Sequence, residues 1–137
     1  MRTIKFRGKD YETGEWVQGQ FFQRLGHYPA IIEPRPHNGK VKYFETAVSD
    51  DTVGQFTGLY DKNGKEIYEG DIIASEGYSQ ARHYIRYLED EAMFIAMIIG
   101  SPLQEWCAIR QAWIDKFEKK VIGNIFDNAD LIMEKGI

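Results

Sequence analysis

The sequence predicts a mainly β protein on three observations: short runs rich in β-branched and aromatic residues, turn-forming clusters between them, and a single stretch with helical spacing. At the N-terminus, Ile4-Lys5-Phe6-Arg7 alternates apolar and basic residues, as a strand with one buried face does. Asp10 to Gly14 reads as a turn and Trp16 to Phe22 as the returning strand. A short loop opens at Gly26-His27-Tyr28-Pro29, and Ala30-Ile31-Ile32 forms a short strand. Pro34 and Pro36 then argue for a break before alternation resumes from Lys40 to Phe44.

The most informative segment is residues 56–73. Asp61-Lys62-Asn63-Gly64 places Asx residues first and third and a glycine where the chain needs positive φ, as in a type I turn closed by a bulge. Ile67, Tyr68, Ile72 and Ile73 favour a half-buried pleated surface, with Gly70-Asp71 re-aiming the backbone between them. After the flexible glycine, the Asp71 carboxylate is placed to accept backbone N–H groups and hold the kink.

A third hairpin follows, with Arg82 to Leu88 and Ala92 to Ile99 flanking the acidic turn Glu89-Asp90-Glu91. Its second arm is almost continuously apolar, which suits a strand covered on both faces or placed in a subunit contact. Ser101-Pro102-Leu103-Gln104 has the ingredients of a helical capping box, and Trp106, Ile109, Trp113 and Phe117 fall on one helical stripe. Lys116, Lys119 and Lys120 suit the C-terminal end of that helix. Val121 to Phe126 returns as a strand.

The stretch from Thr57 to Ile73, with Ile4 to Lys9 and Val121 to Asn128, resembles the YopX family of phage and prophage proteins, whose signature is similar to TGL-DKNGKEIYEGDI. The resemblance spans nearly the whole chain and departs from the family pattern at Ala129, where proline is frequent. It implies coiled and branching antiparallel β-sheets with one short helix in the C-terminal half, no accepted activity, no established catalytic residues and no established cofactor. It also permits a helix starting only near Arg110, with Trp106 to Ile109 extended; helix and strand both stay open over residues 102–110.

With 137 residues the chain suits a single domain, 1–137. The start of the sequence is charged and no segment approaches the roughly 20 apolar residues needed to cross a bilayer, so a soluble, cytoplasmic protein without a membrane partner is expected. Cys107 is the only cysteine, which excludes an internal disulfide and the cysteine-rich zinc frameworks. The net charge of −4 divides unevenly, at +4 over residues 1–42, −8 over 43–105 and 0 over 106–137. On separate surfaces such charges would orient self-association.

No constellation supplies a reaction centre. Aligning Asp61 and Asn63 with the third and fifth positions of a calcium loop puts Leu59 and Gly70 where carboxylates are required. Glu66, Glu69 and Asp71 would be the carboxylates of a metal-assisted hydrolase, but carboxylates around an exposed turn are usually solvated. His27, His37 and His83 are far apart, and neither a nucleophile elbow nor a P-loop is present. Lys5, Arg7 and Lys9 beside Tyr11 and Trp16 combine cations with aromatics as single-strand binders do, against an acidic pI of 5.4. The residues therefore support a non-enzymatic accessory protein that self-associates, through sheet edges or the Met93 to Ile99 arm, and binds a phage or host protein. A nucleic-acid-binding β module and a metal-assisted hydrolase are the alternatives. No catalytic, cofactor-binding or metal residue is assigned.

Overall fold

The computed structural model describes residues 1–76 and 81–133. Among these residues it is mainly β, with antiparallel strands and two short helices, and it divides into two compact units, residues 1–56 and 57–137.

In the first unit, β1 (Phe6–Lys9) lies between β2 (Trp16–Phe22) and the first residues of β5 (Gly54–Tyr60). Beyond β2 come β3 (Ala30–His37) and β4 (Lys40–Ala47), the outermost strand. Ile31 and Val48 are fully buried, with Ala30 and Phe56 nearly so. A 3-10 turn at Asp50–Thr52 is tied down by Thr52, whose hydroxyl donates to the Ser49 carbonyl at 2.6 Å and accepts from the Lys9 N–H at 2.9 Å.

The break expected at Pro34 and Pro36 is absent: β3 runs through both prolines to His37 and turns at Asn38-Gly39. Asn38 and Gly39 take φ of 50° and 73°, the consecutive positive values of a type I′ hairpin, which Asn-Gly supplies at least cost. The prolines are tolerated because of where they sit. β2 meets β3 at Ala30, Ile31 and Ile32, whereas β4 meets it from Ala30 to His37. Residues 33–37 and 40–44 thus form a two-stranded ribbon, and proline needs only an edge whose N–H groups have no strand to serve.

In the second unit, the end of β5 pairs with β6 (Glu66–Tyr68). A sheet then runs in the order β10 (Trp106–Ala108), β9 (Met93–Ile98), β8 (Arg82–Leu88), β7 (Asp71–Ser75), β11 (Lys119–Asn124). The third hairpin is as expected, with β8 and β9 joined through Glu89–Glu91. Its apolar arm is internal to the unit: Ile95 and Ala96 are fully buried between β8 and β10. On either side of this buried centre, Met93, Phe94, Ile98 and Ile99 are half-buried.

The capping-box helix is not formed. Ser101 to Gln104 make a tight turn in which the Gln104 N–H donates to the Ser101 carbonyl, and Trp106, Cys107 and Ala108 pair with Met97, Ala96 and Ile95. Helix α1 begins only at Gln111 and ends at Lys116. Proline in the first turn and a helical stripe would suit a longer helix, but the edge of β9 offers ladder bonds that win over local propensity. Consequently Lys119 and Lys120 lie in β11 rather than at a helix end, and Lys119 is buried. A second helical turn, α2 (Asp130–Met133), is added after β11. The core of this unit joins Ile67, Ile73, Ile85, Ala96 and Ile114, with Trp113 and Cys107 packed against it.

Candidate functional site

The signature turn is the first place to look for chemistry. Asp61 is buried, and its carboxylate is occupied by backbone donors: Oδ1 accepts from the N–H groups of Asn63 at 2.8 Å and Lys65 at 2.9 Å, and Oδ2 from Val121 at 3.0 Å. The first two bonds close the turn, in which Gly64 takes a φ of 81°; the third fastens it to β11. Next to it, the Lys62 N–H donates to the Lys119 carbonyl at 2.9 Å. Asp71 is equally committed, accepting the Tyr68 N–H at 2.7 Å while 1% exposed. The expected kink-holding role of Asp71 is therefore what its geometry provides. Gly70 beside it donates to the Ile85 carbonyl and accepts from the Ile125 N–H. Glu66 accepts from the Tyr68 hydroxyl at 3.1 Å. Carboxylates so engaged act as fixed acceptors for the backbone, and among the described residues no group of three or more His, Cys, Asp or Glu side chains is placed to hold a metal ion.

The segment Gly123 to Asn128 is built on the same principle. Asn124 Oδ1 accepts from the N–H groups of Phe126 and Asp127, and Asn128 Oδ1 accepts from Asn124. A Cβ on Gly123 would stand 2.4 Å from that Asn128 oxygen, so the close approach requires glycine.

The basic N-terminal hairpin turns its cations inward. Arg7 is buried with its guanidinium 4.6 Å from the Trp16 ring centroid, Lys9 lies 5.4 Å from the same ring, and Lys5 lies 5.5 Å from Phe56. These cation–π contacts give the alternating cations and aromatics an intramolecular role. Of this set, Tyr11 faces solvent and packs against Tyr28 with the rings tilted and their centroids 4.7 Å apart.

A polar cluster that spacing in the sequence does not reveal lies on the core side of the second unit's sheet. His83 meets the Trp113 ring edge-on at 5.4 Å, and the Lys119 ammonium sits 5.0 Å from the other partner of that contact, the Trp113 centroid. Burial, with the Lys119 charge adding to it, pushes the His83 imidazole down to about 4. Burial also lowers the Lys119 ammonium and raises the Cys107 thiol. A raised thiol is the wrong direction for a nucleophile, so Cys107 acts as the small core side chain expected of it. On the opposite sheet face an open cleft of about 490 Å³ lies beneath the 99–104 loop, with Arg86, Tyr84 and Ser101 at its polar side. Among the described residues that line it there is no carboxylate or imidazole.

The remaining feature is the β3–β4 ribbon, whose residues 34–43 are all exposed. Its register puts Glu33, Arg35, Lys42 and Phe44 on one face, where Arg35 Nε donates to Glu33 at 2.8 Å and both Arg35 and Lys42 lie over Phe44. Pro34, Pro36, Val41 and Tyr43 occupy the other face, with Val41 and Tyr43 63% and 69% exposed. Asn38-Gly39 between alternating residues was the signal for this hairpin; the prolines outweigh it in the sequence.

A family model described as YopX protein matches residues 5–133. The chain belongs to the YopX family. A crystal structure of protein EF1440 from Enterococcus faecalis is similar to this YopX chain, at a TM-score of 0.61 and 23% identity over 96% of this chain and 99% of that one. At that identity the likeness shows the fold alone. No curated protein matches the chain. The three segments that carry the YopX resemblance coincide with the backbone locks built on Asp61, Asp71 and Asn124, together with strand β1.

Proposed function

We propose that this YopX protein is a non-enzymatic accessory module, phage- or prophage-derived and cytoplasmic, which acts by associating with copies of itself. The observation that carries the reading is the ribbon: two strands with Pro34, Pro36, Val41 and Tyr43 open to solvent on one face. A two-stranded hairpin is marginal by itself in water, and it is stabilised when further strands join it and its exposed apolar side chains gain cross-strand neighbours. The ribbon supports the reading better than the β9 arm, whose Ile95 and Ala96 are buried within their own sheet, and the signature carboxylates are committed to the backbone.

Light scattering and sedimentation test this directly. The parent protein is expected to form a discrete oligomer whose population rises with concentration, and a Val41→Glu/Tyr43→Glu double variant to run as a monomer with an unchanged melting temperature measured at low concentration. Both side chains are exposed, so their replacement leaves the core intact. A parent protein that stays monomeric at millimolar concentration rules the reading out.

A further inference from the structure

Resting on the self-association reading, we infer that the contact is edge to edge: β4 of one copy pairs antiparallel with β4 of a second about a two-fold axis, with Tyr43 opposite Tyr43. β4 is the outermost strand of its sheet, and among the described residues no strand covers its outer edge, which is met at the Ala47 end by the Tyr11 N–H donating to the Ala47 carbonyl at 2.9 Å. The two edges of the ribbon are not equivalent. Pro34 and Pro36 remove N–H groups from β3, and in a regular ladder their cross-strand partners Tyr43 and Val41 turn N–H and C=O groups away from β3 onto the β4 edge. The proline edge is blunted while the β4 edge keeps its donors and acceptors, which directs any added strand to β4.

Self-complementarity identifies the second copy as the occupant. A two-fold axis normal to the sheet keeps like faces together, so only registers that pair residues of the same face are allowed. Centring the pair on Lys42 opposes two lysines. Centring it on Phe44 brings the mate's strand against Val48, which is fully buried. Centring it on Tyr43 sets Lys42 against Phe44 of the second copy, Lys40 against Thr46 and Val41 against Glu45, and no like charges meet. Lys42 already lies over the Phe44 ring within its own chain, 5.3 Å from the centroid, so an aromatic ring as its cross-strand neighbour continues an existing contact. Lysines on an edge commonly repel further strands; in this register each faces a neutral residue.

Cysteine cross-linking in the full chain tests the register. In a Cys107→Ala background, Tyr43→Cys places two thiols on strands whose paired Cα atoms are about 5.5 Å apart, within disulfide reach. Lys40→Cys places them six residues out of register, about 20 Å apart. Under copper-phenanthroline oxidation the Tyr43→Cys protein is expected to give a reducible dimer in high yield, and the Lys40→Cys protein little more than the cysteine-free background. A dimer by light scattering in which Tyr43→Cys fails to cross-link, or in which Lys40→Cys cross-links equally well, overturns the edge pairing and leaves self-association standing. A monomer by light scattering removes both.

Discussion

Replacing Asp61 with alanine is expected to destabilise the protein by about 3 kcal/mol and to lower its melting temperature by roughly 10 °C. The estimate follows from what the carboxylate does. It accepts three backbone N–H groups, from Asn63, Lys65 and Val121, at 2.8, 2.9 and 3.0 Å, from a position 5% exposed. Hydrogen bonds to a charged acceptor contribute about 1.5–3 kcal/mol each, and donors left without an acceptor in a part-buried turn lose most of that unless water enters. Two of the three bonds close a local turn that water reaches, so the Val121 bond, linking residues 60 apart in sequence, carries the largest share. Asp61→Asn keeps one oxygen acceptor and is expected to lose about half as much. Thermal or urea denaturation gives the magnitude, and hydrogen exchange at the Val121 amide gives the location. A variant melting within a degree or two of the parent, or a parent whose melting temperature rises with added Ca²⁺ or Mg²⁺ while the variant's does not, contradicts a purely structural carboxylate.

How far the fold is legible in the sequence depends on how local its causes are. The signature hairpin follows from four adjacent residues, Asp61 to Gly64, because Asx side chains and a positive-φ glycine specify a turn whatever surrounds them. The third hairpin is legible for the same reason, with three acidic residues between two strand-forming runs. The ribbon is not: Pro34 and Pro36 argue against a strand, and what admits them is that β2 stops pairing at Ile32, a fact of tertiary structure. Residues 101–110 leave two readings open, and the one formed is the extended Trp106 to Ala108 followed by a helix capped at Arg110. Their local signals suit a longer helix, and the edge of β9 takes Trp106 to Ala108 instead. The committed state of Asp61 and Asp71 is half legible, since Asp71 lies three residues from Tyr68, while Asp61 reaches across to β11. Nothing in the spacing of His83, Trp113 and Lys119 announces that they meet, because the strand register and the packing of α1 bring them together. The charge division by sequence segment likewise misses that Arg7 and Lys9 are stacked on Trp16, whereas Lys40 and Lys42 stand on an exposed strand.

His83 sets the second large expectation, a loss of stability on mild acidification. In the folded protein its imidazole is pushed down to about 4, first by burial and then by the Lys119 charge, against an ordinary value of 6.5. Above pH 6.5 the ring is neutral in both the folded and unfolded chains, and folding is unaffected by it. As the pH falls below 6.5 the unfolded chain takes up a proton that the folded one refuses, so stability declines until the folded ring protonates near pH 4. At about 1.4 kcal/mol per pH unit, and reduced for relaxation of the site around the protonated ring, the decline attributable to His83 is about 2 kcal/mol. His83→Leu keeps an apolar contact on Trp113 and removes the titration, so its urea-derived stability is expected to fall less steeply between pH 6.5 and 4; subtracting the two profiles cancels the carboxylates common to both. Lys119→Met provides the companion test. Because burial is the larger cause and Lys119 the smaller, this substitution should raise the His83 midpoint only part of the way back toward 6.5. Should NMR place the His83 midpoint at 6.5 or above in the parent protein, the imidazole is solvated or paired with an anion, and its packing against Trp113 and Lys119 is not as described.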